Sequence, residues 1–137
     1  MVVQAQGRGN SKVRVVLVDD NPPFLKAVSE YLARASQEIE LVGVALDIEK
    51  VFELAASLHP HLILLCLDKP DQRDLGIVSK LKAILPDGAI IILSLLDSKG
   101  YRRLVLEAGA DDFIPKHNLI KDLLPSMRRL FGNGQFL

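Results

Sequence analysis

A chain of 137 residues, 49% hydrophobic and 25% charged, is long enough to bury one core and too short for two. Its mean hydropathy of +0.23 excludes a disordered chain, and 17 basic against 17 acidic residues argue against a bulk nucleic-acid binder. The only cysteine, Cys66, excludes an internal disulfide framework and suits a reducing cytoplasm, while no apolar run reaches the ~20 residues that span a bilayer.

Residues 1–11, with Gly7, Arg8, Gly9 and Asn10, read as a flexible lead-in without the apolar stretch of a secretory signal. Val13 to Val18 is a nearly unbroken apolar run, the mark of a strand covered on both faces. It stops at Asp19-Asp20-Asn21-Pro22-Pro23, where Asn21 can cap a helix and a proline suits its first turn. Phe24, Leu25, Val28, Tyr31 and Leu32 then recur at helical spacing and predict a helix over 23–35. Ile39 to Leu46 is a second strand, and Ile48 to Leu58 a second helix. His61 to Leu67 is a third strand, apolar enough to be central, followed by the polar loop Asp68 to Arg73. Leu75, Val78, Leu81 and Leu85 mark a third helix, ended by Pro86-Asp87-Gly88. Ala89 to Leu95 is a fourth strand, Ser98 to Ala108 a fourth helix, and Gly109 its C′ residue. Asp112 to Pro115 gives a fifth strand and 119–131 a fifth helix, closed by Gly132 and followed by a tail over 133–137. Pro125 falls inside that last pattern, so the helix either starts late, near Asp122, or kinks.

Five strand–helix units around one core predict an α/β domain over 12–132, with a parallel sheet and helices on both faces. Such sheets place their sites at the carboxyl ends of the strands, near the point where strand order reverses. Those ends carry Asp19 and Asp20, Cys66, Ser94 and Lys116. Two adjacent carboxylates at one strand end need a neutralising partner, and Lys116 or a hydrated Mg²⁺ can supply it. Read alone, the same pair is two solvated acids opening a turn. Cys66 reads as a small buried hydrophobe, with a redox-sensitive thiol as the alternative. His59, His61 and His117 lack ligand spacing and read as surface residues. Arg102, Arg103, Arg128 and Arg129 line the last two helices, either as solvated faces or as a partner-binding surface.

Four segments, in order, carry a resemblance: Val16-Leu17-Val18-Asp19-Asp20-Asn21-Pro22, Pro60-His61-Leu62-Ile63-Leu64-Leu65, Ile91-Ile92-Leu93-Ser94, and Glu107 to Lys116 with its Gly109-Ala110-Asp111-Asp112 core. From Lys12 to Gly132 the chain resembles the receiver domain of two-component response regulators. The resemblance implies the flavodoxin-like, CheY-like (βα)5 sandwich with strand order 2-1-3-4-5. It also implies that Asp19 and Asp20 match the metal-binding acids, Ser94 the switch hydroxyl, Phe113 the switch aromatic and Lys116 the phosphate-binding lysine. In the family mechanism, phosphate on the acceptor draws in the hydroxyl, and the aromatic follows inward. The spelling near Asn21-Pro22 and in the final helix is similar to receivers that usually precede a helix-turn-helix output domain, which these residues do not contain.

One position departs from the pattern. The family's acceptor aspartate lies four residues before a proline at the end of strand three, and counting back from Pro70 gives Cys66. Sulfur is a ligand that Mg²⁺ disfavours, and nearby acids raise a thiol's pKa while Lys116 opposes them. Asp68, two residues on, is the candidate to restore the lost charge and part of a weak Mg²⁺ site. The expectation is an atypical receiver, cytoplasmic and not an enzyme, unphosphorylated at the usual position apart from residual labelling by small phosphodonors. It would meet a sensor histidine kinase, another signalling protein or its own copy through the face of helix four, strand five and helix five. No direct contact with nucleic acid or membrane is expected. The alternative is a flavodoxin-like redox or thiol-dependent protein using Cys66. A nucleotide or flavin binder fits less well, since the first strand–helix turn has no glycine-rich phosphate cradle.

Overall fold

In the computed structural model, residues 12–35, 37–68 and 71–132 are described. The expected lead-in 1–11, the tail 133–137 and the spacing residue Pro70 lie outside them. Five strands, β1 (Val13–Val18), β2 (Ile39–Ala45), β3 (Leu62–Cys66), β4 (Ala89–Ser94) and β5 (Asp112–Pro115), alternate with five helices. The helices are α1 (Pro22–Arg34), α2 (Lys50–Leu58), α3 (Gln72–Ile84), α4 (Lys99–Glu107) and α5 (Leu119–Phe131). The strands form one parallel sheet in the order β2-β1-β3-β4-β5. This is the doubly wound flavodoxin-like, CheY-like arrangement.

Strand alternation sorts the core into two layers. Val16, Val18, Ile63, Leu65, Ile90, Ile92 and Phe113 face Val51, Ala55, Val78, Leu81, Tyr101 and Val105, so α2, α3 and α4 cover one side. Val15, Leu17, Leu62, Leu64, Ile91, Leu93 and Ile114 face Val28, Leu32, Leu119, Leu123 and Met127 of α1 and α5 on the other. β3 is buried at every position, because both its faces are covered.

Local chemistry sets the boundaries. The Asn21 side chain accepts from Phe24 N–H at 3.0 Å, and Pro22 and Pro23 occupy the first turn of α1. Asp71 caps α3 by accepting from Asp74 N–H at 2.9 Å, which draws Gln72 and Arg73 out of the expected loop and into the helix. Asp47 accepts from Glu49 N–H at 3.0 Å in a turn that delays α2 to Lys50. Gly109 has φ +121° and follows the Ala108 cap of α4. There Ala110 N–H reaches the Val105 carbonyl at 3.0 Å and Gly109 N–H reaches the Leu106 carbonyl at 3.1 Å, the paired bonds of a Schellman ending.

α5 does not start late. It begins at Leu119 with Pro125 inside it. Leu119, Leu123 and Met127 at four-residue spacing are buried against the sheet, whereas Pro125 is exposed. The hydrogen bond that proline cannot make therefore falls on the solvent side of a helix held by its other face.

Candidate functional site at the carboxyl edge of the sheet

β1, β3, β4 and β5 end side by side, and the residues just beyond them meet. Asp19 leaves β1 almost fully buried, at 1% exposure. Its Oδ1 accepts from Asn21 N–H at 3.0 Å, and its Oδ2 lies 2.9 Å from Lys116 Nζ, which follows β5. The second contact is an ion pair rather than an aligned hydrogen bond. The Lys116 ammonium also sits 4.3 Å from the centre of the Phe24 ring. Asp20, one residue on, is exposed and forms no ion pair among the described residues. Of the two acids, only Asp19 is Lys116's partner.

Cys66 is the last residue of β3 and 8% exposed. Its thiol donates to Asp68 Oδ2 at 3.3 Å, so it is buried without being chemically isolated. Asp68 turns back over the strand ends. Its Oδ1 accepts from Ser94 Oγ–H at 3.1 Å and from Leu95 N–H at 2.7 Å, and its Oδ2 is 4.0 Å from Lys116 Nζ. Sequence reading placed Asp68 near the site as a substitute charge, but nothing in a polar loop spelled out which donors it would take. No periodicity encodes such a turn.

Burial pushes the Cys66 thiol well above its ordinary pKa; Lys116 opposes this, and the Asp19 and Asp68 charges add to it. Burial alone would depress the Lys116 ammonium, but the neighbouring Cys66 sulfur and Asp19 carboxylate outweigh it and hold the lysine above its ordinary 10.5. Both groups thus keep their protons more tightly folded than unfolded. Their contribution to stability is complete below the ordinary thiol value of 9.0 and declines as pH rises beyond it. Cys66 should accordingly react with an aromatic disulfide at neutral pH at least ~100-fold more slowly in the native protein than in denaturant. A native rate close to the denatured one would show an accessible thiolate and revive the thiol-chemistry alternative.

The oxygen donors that a Mg²⁺ ion would draw on here are few. The cation takes oxygen ligands in a near-octahedral shell, and here sulfur stands at the third strand end, an ammonium covers Asp19 Oδ2, and Asp20 points to solvent. Among the described residues, no group of three or more His, Cys, Asp or Glu side chains is placed to hold a metal ion.

Phe113 is 3% exposed on β5 and packs edge-on against Tyr101 of α4, with centroids 5.7 Å apart. The Tyr101 hydroxyl donates to the Leu67 carbonyl at 3.0 Å, tying α4 to the end of β3. Asp112, which the sequence offers only as part of the Gly109–Asp112 segment, is 7% exposed at the start of β5. It gathers Arg102 from α4 at 3.4 Å and both Ser126 and Arg129 from α5. Arg102 and Arg129 are therefore partly engaged and not simply solvated faces. His59, His61 and His117 are exposed; His117 lies 3.5 Å from Asp97. No helix among the described residues is long and apolar enough to cross a membrane.

The family model of the response regulator receiver domain matches residues 15–128. The nitrate/nitrite response regulator protein NarL of Escherichia coli K12 is 32% identical over 115 residues, covering 84% of this chain and 53% of that protein. A protein-glutamate methylesterase/protein-glutamine glutaminase of Pseudoalteromonas translucida is 37% identical over 105 residues, covering 76% of this chain and 27% of that protein. The chain thus spans about half of the first relative and about a quarter of the second. Among solved structures, the signal receiver domain of NarL from Mycobacterium tuberculosis superposes with a TM-score of 0.72 at 26% identity, covering 84% of this chain and 95% of that one.

Proposed function

The chain belongs to the response regulator receiver domain family of two-component signalling, and from that premise we propose that it is an atypical receiver. In this reading it carries no phosphoryl group at the usual acceptor position and works through protein–protein contact. The observation that carries the reading is Cys66 at the end of β3, a buried thiol donating to Asp68 beside the Asp19–Lys116 pair. Acceptor chemistry needs an ionised oxygen nucleophile that doubles as a hard metal ligand. A protonated thiol is neither. Mg²⁺ should bind weakly or not at all.

The surface that would act is the face of α4, β5 and α5. Leu104 on α4 is 41% exposed, Ile120 on α5 72%, and Leu95 just before α4 67%. Exposed large apolar side chains on these elements are the candidate contact points. Asp112 braces this face from within, through Arg102, Ser126 and Arg129. A sensor histidine kinase or another signalling protein would dock there, and a second copy is the contact that can be assayed directly. Native protein should show concentration-dependent dimer in sedimentation. The doubly substituted Leu104→Asp/Ile120→Asp chain should be monomeric, with folding stability within about 0.5 kcal/mol of native, as exposed positions allow. Self-association unchanged in that variant would place the contact elsewhere. No observation favours a redox or enzymatic role for Cys66.

A further inference from the structure

Three donors converge at the ends of β4 and β5: the Ser94 hydroxyl, the Leu95 backbone N–H and the Lys116 ammonium. A hydroxyl, an amide N–H and an ammonium aimed at one point form a cradle for an anion. The anion found there is the chain's own. Asp68 Oδ1 takes Ser94 at 3.1 Å and Leu95 at 2.7 Å, and Oδ2 faces Lys116 at 4.0 Å. Ser94 is fully buried and its Oγ also accepts from Leu96 N–H at 3.0 Å, so the hydroxyl proton is committed to the carboxylate. Each donor in the cradle has a partner.

We infer that Asp68 is a tethered anion that fills this cradle, excludes a free anion from it, and holds the Ser94–Leu96 segment in its anion-bound arrangement. Cys66 makes the placement permissible. Its uncharged thiol donates to Asp68 Oδ2, where a carboxylate would repel it. The consequence reaches the surface, because Leu95 and Leu96, 67% and 36% exposed, ride on the segment that the carboxylate pins. Apolar display beside α4 would then be a fixed property of the chain and not a response to an added phosphoryl group. The inference deepens the atypical-receiver reading and rests on it for the site's role in signalling.

Its test needs neither a partner nor an acceptor. Inorganic phosphate is titrated into native protein and the Asp68→Ala variant while the Leu95 and Leu96 amide signals are followed by NMR, and their hydrogen exchange is measured without phosphate. The native chain should show no saturable shift. Asp68→Ala should show one centred on Leu95, weakened at least threefold by adding Ser94→Ala, and should exchange its Leu95 amide at least tenfold faster. Should Asp68→Ala fold poorly, Asp68→Asn keeps the shape, removes the second negative charge facing Lys116, and should still gain phosphate-dependent shifts at Leu95. Phosphate binding by the native chain as tight as by the variants would overturn the inference, as would unaltered behaviour at Leu95 in both variants. Failure here would leave untouched the separate question of phosphorylation, which is read by mass.

Discussion

Lys116→Met should cost about 3–5 kcal/mol of folding stability, because it leaves the Asp19 carboxylate buried without its counter-charge. The side chains of this pair are 4% and 0% exposed, so water cannot replace the lost ammonium. Methionine keeps most of the apolar stem, which confines the loss to the ammonium, its pair with Asp19 and its contact with the Phe24 ring. The control is the double variant Lys116→Met/Asp19→Asn. Removing both charges should recover most of the loss, since a buried pair is worth little more than a neutral replacement of similar volume. Asp20→Asn, by contrast, should change little, because Asp20 is exposed. Urea unfolding at neutral pH reads all three. An unchanged midpoint in Lys116→Met would mean that the pair contributes nothing to folding.

Cys66→Asp is the second large effect. The new carboxylate would stand close to Asp68, whose Oδ2 now lies 3.3 Å from the thiol sulfur, and to the buried Asp19. Three crowded acids share one ammonium. In metal-free buffer the variant should lose about 2–4 kcal/mol, and repulsion should drive Asp68 out of the cradle, exposing Leu95 N–H. Mg²⁺ should then restore part of that stability, since oxygen ligands have replaced sulfur. With Ser94 and Leu95 N–H released from Asp68, the variant should also take a phosphoryl group from acetyl phosphate, and Asp20→Asn should remove that gain. A Cys66→Asp chain as stable as native without metal would show that the three side chains do not crowd one another.

Much of this was legible because strand burial and helix capping leave strong local marks. The β3 run is apolar at every position for the same reason that it is buried at every position, namely that helices cover both its faces. Asn21-Pro22-Pro23 announces α1 through a side-chain acceptor and two residues that need no N–H partner. Gly109 marks the end of α4 because the backbone there takes a positive φ. The start of α5 was not legible from Pro125 alone. Which side of a helix faces solvent depends on the sheet it packs on, and that decides what a proline costs. The strand-end residues Asp19, Cys66, Ser94 and Lys116 could be named from topology, but their pairings could not. Asp19 faces inward and Asp20 outward at the exit of β1, and Asp68 folds back from a loop without periodicity. The bracing role of Asp112 was not legible because its partners Arg102, Ser126 and Arg129 come from two different helices and only the fold brings them to one carboxylate.

If the neutral Cys66 thiol leaves this receiver site without its acceptor, as proposed, the native chain should take no phosphate. Intact-mass analysis after incubation with acetyl phosphate and Mg²⁺ reads this. The expected result is a single unmodified species, under conditions in which Cys66→Asp gains one phosphate that hydroxylamine removes. A hydroxylamine-labile phosphate on the native chain, lost in Asp68→Ala, would instead identify Asp68 as the acceptor and overturn the atypical-receiver reading.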